Sequence, residues 1–316
     1  MSQSTCIPPT KSPLFDSDDA DIILLSSDNI ELRVHKLILG RASSVFHDMF
    51  TVPTTDHAKG IQTVPVTEDG STLTKLLQLC YPMINPSFDN IKQVGDLLRV
   101  CDKYQMVDMM NRLAKLSLGA FTRSDPLQAY ALACCSRADE EARKAAFHCL
   151  RMSLSDIISS GISKFPYISV ASYSALLKYH TACSVAARKM IISWNGPSWG
   201  ITWADFTRFC WNPDIAHKNC PRGKIIFKWE VRQSVVPSRN LSKWWTDYIE
   251  DIAETFTDVN LPVLSDHVTP AGLALPPPPD CDYCKDRYAQ DLFIFLPRLQ
   301  KQIGSEISKV KLEVVY

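Results

Sequence analysis

The sequence predicts an α+β protein in which short strands come first, helices follow, and a Trp- and Cys-rich region ends the chain. An apolar run and an alternating stretch between Asp21 and Val34 indicate two strands joined by a polar turn. From Lys36 to Ile192, apolar residues recur mainly at helical spacing. All seven tryptophans lie after residue 193, so the C-terminal part differs in chemistry from the rest.

Composition narrows the class of protein. The chain has 316 residues, 46% of them hydrophobic, and Lys+Arg equals Asp+Glu at 34 each. Its length suits about two folded domains, and the balanced charge argues against a nucleic-acid partner. It has neither a signal-peptide core near the N-terminus nor an apolar run of membrane-spanning length. We therefore expect no membrane partner and a cytoplasmic or nuclear location, where the eleven cysteines would be mostly buried thiols.

Composition shifts divide the chain into four segments. These are a mobile Ser/Thr/Pro-rich lead-in at 1–14, a first domain at 15–122, a helical extension at 123–193, and a Trp/Cys-rich region at 194–316 with a proline connector at 276–279. The boundary near residue 122 depends on Ser124-Asp125-Pro126, because an acid before a proline is a typical helix opening.

Periodicity predicts the elements within these segments. The first domain is expected to hold a hairpin over 21–34, a helix over 36–50 and a strand over 61–66. Further helices are predicted over 71–81, 91–104, 107–121, 127–135, 140–152 and 173–192, with a loop at Gly161 and Pro166.

The segment from Asp21 to Phe50 resembles the opening of a BTB/POZ domain. It combines an aspartate before the first strand, a hairpin, the His35-Lys36 pair before a helix, and Ala-Ser-Ser-Val-Phe and Met-Phe elements in the family's order. The resemblance continues through Tyr104 to about Phe121. It implies a small sheet flanked by helices. Residues 124–192 resemble the helical extension of many BTB proteins, and the layout is similar to that of long BTB proteins of mushroom-forming fungi.

The resemblance implies a non-enzymatic protein-interaction scaffold that forms a homodimer and binds a further, unidentified protein partner. BTB domains commonly dimerise through the first helix and an N-terminal strand. The side chains expected to bind protein here are Leu37, Ile38, Val45, Phe46, Met49 and Phe50. The alternative is that these side chains only fill the core of the monomer.

Asp21, His35 and Lys36 form the family signature. A histidine beside a lysine could serve as a catalytic base. The resemblance instead implies a structural role at the strand-to-helix junction, with hydrogen bonds to nearby backbone and to Asp21.

A substrate adaptor of a cullin-type ubiquitin ligase is an alternative function. Cullin-recruiting BTB domains usually carry a hydrophobic-x-Glu element after the first long helix. The corresponding stretch, Thr51 to His57, has no glutamate, and only Asp56 could substitute. Its shorter side chain would displace the carboxylate by about one methylene, which weakens a hydrogen bond.

Four cysteines form the one pattern with metal-binding chemistry. Cys281-x-x-Cys284 has the spacing with which two thiolates bind one zinc ion, and Cys210 and Cys220 lie upstream. A structural zinc would join the Trp-rich segment to the C-terminal helix and is the candidate cofactor. Alternatively the C-x-x-C spacing arises by chance, or His217 replaces one cysteine.

An enzyme is the alternative of another class. A zinc- or thiol-dependent enzyme would use Cys281, Cys284 and a histidine such as His217. The chain lacks phosphate-binding loops, the H-E-x-x-H zinc motif and the G-x-S-x-G elbow, which favours a protein without catalytic activity.

Overall fold

The structure is a computed structural model, and its described residues form two compact units. They are residues 8–51, 61–160, 168–193, 199–212, 220–227, 230–231, 234–235, 239–258 and 276–316. The first unit ends at Ala145 and includes Tyr316, whereas the second runs from Ala146 to Val315.

A four-stranded sheet opens the first unit. Its strands are β1 (Thr10–Asp16), β2 (Ile22–Leu25), β3 (Ile30–Val34) and β4 (Gln62–Pro65), in the order β1-β3-β2-β4. The predicted hairpin is confirmed: β2 and β3 are antiparallel, with Ile22 opposite Val34. Asn29 has a left-handed φ of 64°, which asparagine tolerates in tight turns.

Strand β1 was not predicted and begins inside the expected lead-in. It runs parallel to β3, and its register shifts between Lys11 and Asp16. Its buried residues, Ser12 and Phe15, are three positions apart rather than two. Because the alternation of a regular strand is missing, periodicity could not reveal it.

The single helix predicted over 36–50 is wrong, because the chain forms α1 (Lys36–Ala42) and α2 (Ser44–Thr51). Ser43 between them has extended backbone angles, φ −144° and ψ 124°. Its Oγ accepts from the N–H of Phe46 at 3.0 Å and donates to the carbonyl of Tyr104 at 2.6 Å. Serine is a favoured residue before a helix, so the break is stabilised locally.

The other predicted helices are confirmed within a few residues, and most begin at a capping side chain. Asp125, for example, precedes Pro126 and accepts from the N–H of Gln128 at 3.3 Å, as the sequence predicts. The helices are α3 (Gly70–Cys80), α4 (Ile91–Lys103), α5 (Val107–Ser117) with a 3-10 turn at Leu118–Ala120, α6 (Pro126–Cys135) and α7 (Asp139–Cys149).

The second unit combines helices with short strands around an aromatic core. Its helices are α8 (Leu154–Ser160), α9 (Val170–Ile191), α10 (Trp203–Phe206), α11 (Lys243–Asp258) and α12 (Asp282–Ser308). Its strands are β5 (Arg222–Phe227), β6 (Glu230–Val231), β7 (Ser234–Val235) and β8 (Arg239–Ser242), with β5 pairing β8 and β6 pairing β7. The predicted loop at Gly161 and Pro166 lies outside the described residues.

The cysteines behave as buried thiols, as the sequence predicts. Eight of the ten described cysteines are buried, and within the described part of the chain they form no disulfide. Among those same residues, every helix is too short or too polar to traverse a lipid bilayer.

Candidate functional site

Helices α1 and α2 carry five apolar side chains that keep part of their surface exposed, and we call these side chains the α1–α2 patch. Leu37 is 70% exposed, and Ile38, Val45, Met49 and Phe50 are half-buried. The two helices pack against each other. Grouped apolar side chains that retain exposed surface are typical of regions covered by a protein partner.

Phe46 is the one of the six apolar residues expected to bind protein that does not belong to this patch. It is fully buried and stacks on Tyr104, with the ring centroids 4.4 Å apart and the planes 12° apart. It also stacks on Phe50, at a centroid distance of 5.7 Å. Phe46 therefore fills the core of its own domain, which is the alternative that the sequence left open.

Asp21, His35 and Lys36 fix the entry of α1. Asp21 Oδ1 accepts from the peptide N–H of Lys36 at 2.7 Å. The N–H of His35 donates to the hydroxyl of Tyr81 at 2.8 Å, and its Nδ1 lies 3.1 Å from the same oxygen. These contacts join the end of β3 and the start of α1 to Asp21 and to Tyr81, the residue after α3.

Three of the four predicted metal ligands meet in the second unit. The Sγ atoms of Cys220, Cys281 and Cys284 all lie within 4.8 Å of one another, and all three residues are buried. Cys220 precedes β5, Cys281 caps α12 and Cys284 lies in the first turn of that helix. The fold thus brings together Cys220 and Cys281, which are 61 positions apart in the chain.

Cys210 lies beside this three-cysteine cluster. The thiol of Cys284 donates to the carbonyl oxygen of Cys210 at 3.4 Å. The peptide N–H of Cys210 donates to Asp291 Oδ2 at 2.7 Å. Among the described residues, the group of sulfur atoms within 4.8 Å of one another contains only Cys220, Cys281 and Cys284. The sulfur of Cys210 therefore lies outside this group.

The surroundings of Cys210 and Cys220 raise the pKa of both thiols and keep them protonated. Burial raises the pKa of Cys220 to about 12, although its hydrogen bond with Ser242 acts in the opposite direction. The hydrogen bond with Cys284 raises the pKa of Cys210, and burial and the nearby Asp291 carboxylate raise it further. Thiols of this kind have little thiolate at neutral pH, so they are poor nucleophiles.

The cluster adjoins the aromatic core of the second unit. Trp211, next to Cys210, stacks on Trp245 with a centroid distance of 3.8 Å and an interplanar angle of 3°. Ser242, which accepts from the thiol of Cys220 at 3.3 Å, donates its N–H to the carbonyl of Trp211 at 3.3 Å. The same short segments therefore hold both the cysteines and the tryptophans.

Comparison with known families identifies a domain within the first unit. Residues 12–117 match the family model of the BTB/POZ domain. This part of the chain is a BTB/POZ domain. No curated protein matches the chain as a relative. BTB domains are protein–protein interaction modules that are typically non-enzymatic, commonly dimerise and in some proteins act as cullin adaptors.

Two predicted site residues lie outside the described part of the chain. Asp56, predicted as the one substitute for the glutamate of cullin-recruiting domains, follows Thr51 in the chain by five residues. His217, the alternative to a cysteine ligand, lies between Cys210 and Cys220. Both stay predictions.

Sequence reasoning missed two polar residues beside the cysteines, Ser242 and Asp291. Asp291 had a usable signal: it follows Cys284 by seven residues, two helical turns, and the next residue is the buried Leu292. An acid on the buried face of a helix is unusual and indicates a specific partner. Ser242 had no such signal, because its place beside Cys220 follows from the pairing of β5 with β8.

Proposed function

We propose that the protein is a non-enzymatic interaction scaffold that forms a homodimer through its BTB domain. The observation that carries this function is the exposure of the α1–α2 patch, led by Leu37 at 70%. In a symmetric dimer, such a patch is covered by the same patch of the second chain. The partner protein would then bind elsewhere on the dimer, which presents every binding surface twice.

Strand β1 supplies a second element of the BTB domain that favours association with another chain. Among the described residues it is an edge strand, since in the sheet order β1-β3-β2-β4 it pairs with β3 alone. Leu14 in this strand is 55% exposed. An open edge with an exposed apolar side chain favours pairing with another chain.

Replacing Leu37 with glutamate is expected to convert the dimer to a monomer. A charge at the centre of an apolar interface removes a contact of hot-spot size, about 2 kcal/mol or more, which weakens dimerisation roughly 30-fold or more. Sedimentation velocity of the full-length chain over a range of protein concentrations measures the change.

Leu116→Glu is the matched control, because Leu116 is 48% exposed on α5 of the same domain. It should sediment like the wild-type protein. A wild-type chain that remains monomeric at high micromolar concentration would contradict the dimer, and equal effects of the two variants would show that the α1–α2 patch has no special role.

Cullin recruitment stays a prediction, since the described residues do not include Asp56. It is tested by purifying the tagged protein with its partners from its own cells. Recovery of a cullin in amounts comparable to the tagged chain would support the adaptor function.

We also propose that Cys220, Cys281 and Cys284 bind a structural zinc ion. Their three buried sulfur atoms lie within 4.8 Å of one another and come from two separate segments of the chain. Clustered thiols are the ligands that zinc prefers, and Cys281 and Cys284 at the start of α12 gain from the positive end of the helix dipole.

The full-length protein purified without added metal or chelator is expected to contain about one zinc ion per chain. Elemental analysis by mass spectrometry measures it. Cys284→Ser should lose the ion, whereas Cys183→Ser, which alters a buried cysteine on α9, should retain it. Wild-type protein without zinc that also fails to take up added zinc would contradict the metal site.

A further inference from the structure

We infer that Cys210 is the fourth ligand of the metal site and that Asp291 holds it in place, a conclusion that rests on the zinc site proposed above. The ion would then be enclosed by four sulfur atoms. Closed four-sulfur sites are structural, whereas catalytic zinc sites keep a position open for water or substrate.

Cys210 is placed to complete the site. It is fully buried, its carbonyl oxygen lies 3.4 Å from the sulfur of Cys284, and its thiol interacts with that of Cys284. Its sulfur lies outside the group of three that share a 4.8 Å distance. A change of rotamer about the Cα–Cβ bond moves a cysteine sulfur between staggered positions without moving the backbone. The ion would therefore draw one side chain inward rather than refold a segment.

Two residues beside the cysteines, Ser242 and Asp291, have oxygen atoms that could bind a metal ion, but these atoms already form other hydrogen bonds. Ser242 Oγ accepts from Cys220 at 3.3 Å and lies 3.4 Å from the carbonyl of Trp211. Asp291 Oδ2 accepts from the N–H of Cys210 at 2.7 Å. A neutral hydroxyl is a weak zinc ligand compared with a thiolate, and the carboxylate is already bound to the segment that carries the fourth cysteine.

Asp291 has the properties of a positioning residue. It is 5% exposed, and its Oδ2 accepts from the peptide N–H of Cys210. A carboxylate buried in this way is costly unless it forms hydrogen bonds that the fold needs. Its bond to Cys210 joins the turn before Trp211 to α12, the helix that carries Cys284 two turns earlier. Groups that orient metal ligands in this way commonly affect metal affinity about 10- to 100-fold.

Such a site would explain how the aromatic core is assembled. The ion would join three places: the turn at Cys210, the entry to β5 at Cys220 and the start of α12. Trp211 directly follows one ligand and stacks on Trp245 of α11. A single ion would thus join a turn, a strand and a helix that are far apart in the chain.

Cobalt(II) is the probe that tests this arrangement in the full-length protein. Thiolate ligands give cobalt an ultraviolet charge-transfer band whose intensity grows with their number, and tetrahedral geometry gives intense visible bands. The wild-type chain is expected to show a four-thiolate tetrahedral spectrum. Cys210→Ser should reduce the charge-transfer intensity by about a quarter, because one of four sulfur ligands is lost.

Asp291 is tested by two substitutions and one control. Asp291→Leu should weaken cobalt affinity about 10- to 100-fold and shift the visible bands, whereas Asp291→Asn should retain the wild-type spectrum because its amide oxygen still accepts from Cys210. Asp286→Leu, an exposed position on the same helix, should change neither.

The outcomes separate the two levels of the proposal. A wild-type chain that binds neither zinc nor cobalt overturns the metal site itself. A wild-type cobalt spectrum typical of three thiolates and one nitrogen or oxygen ligand overturns only the assignment of Cys210 as the fourth ligand. This measurement does not depend on the folding of any variant. An unchanged cobalt spectrum in Cys210→Ser also overturns that assignment. Equal cobalt affinities and spectra of Asp291→Leu and Asp286→Leu overturn the positioning role of Asp291.

Discussion

Replacing Trp245 with alanine is expected to lower the free energy of unfolding of the second unit by about 3–5 kcal/mol. Trp245 is fully buried, stacks on Trp211 at 3.8 Å and meets Phe295 edge-on at 4.7 Å. The substitution removes this contact surface and leaves a cavity that the rigid neighbouring rings cannot fill. Urea unfolding followed by tryptophan fluorescence measures the loss, since all seven tryptophans lie after residue 193.

Trp244→Ala provides the matched control, because this tryptophan is the adjacent residue on α11 and is only half-buried. It removes a side chain of the same size from a position that retains contact with solvent. Its cost should therefore be clearly smaller than that of Trp245→Ala. Equal losses for the two variants would show that the aromatic core is not centred on Trp245.

In the second unit, the sequence predicted which cysteines could bind a metal better than it predicted which side chains contact one another. The C-x-x-C spacing of Cys281 and Cys284 is local, so it could be recognised without a fold. The 3.8 Å approach of Cys220 to Cys284 depends instead on how β5, β8 and α12 pack. Local patterns carry no information on such packing, and for the same reason Ser242 could be placed beside Cys220 only once the pairing of β5 with β8 was known.

In the BTB domain, the sequence failed where a tertiary contact overrides local periodicity. Apolar residues continue at helical spacing through Ser43, and periodicity alone therefore predicts one helix. The break exists because the Ser43 hydroxyl bonds both the start of α2 and the carbonyl of Tyr104, 61 residues away. The hairpin was predictable, because β2 and β3 are consecutive strands whose pattern and turn agree.

Replacing Phe46 with alanine is expected to destabilise the BTB domain by about 3–5 kcal/mol. The side chain is fully buried and stacks on Tyr104, so its loss opens a cavity between α2 and the end of α4. Because no tryptophan lies in this domain, the measurement is amide hydrogen exchange in β2 and β3, made at one fixed protein concentration so that association does not contribute.

Phe50→Ala and Leu37→Ala distinguish a core residue from a surface residue in the same experiment. Phe50 is half-buried and Leu37 is 70% exposed, so both substitutions should leave exchange in β2 and β3 much closer to that of the wild-type domain. Leu37→Ala should act mainly on association, because its side chain lies on the α1–α2 patch. If Phe46→Ala weakened dimerisation without loss of exchange protection, Phe46 would be an interface residue after all, and the packing of α2 on Tyr104 would have to be revised.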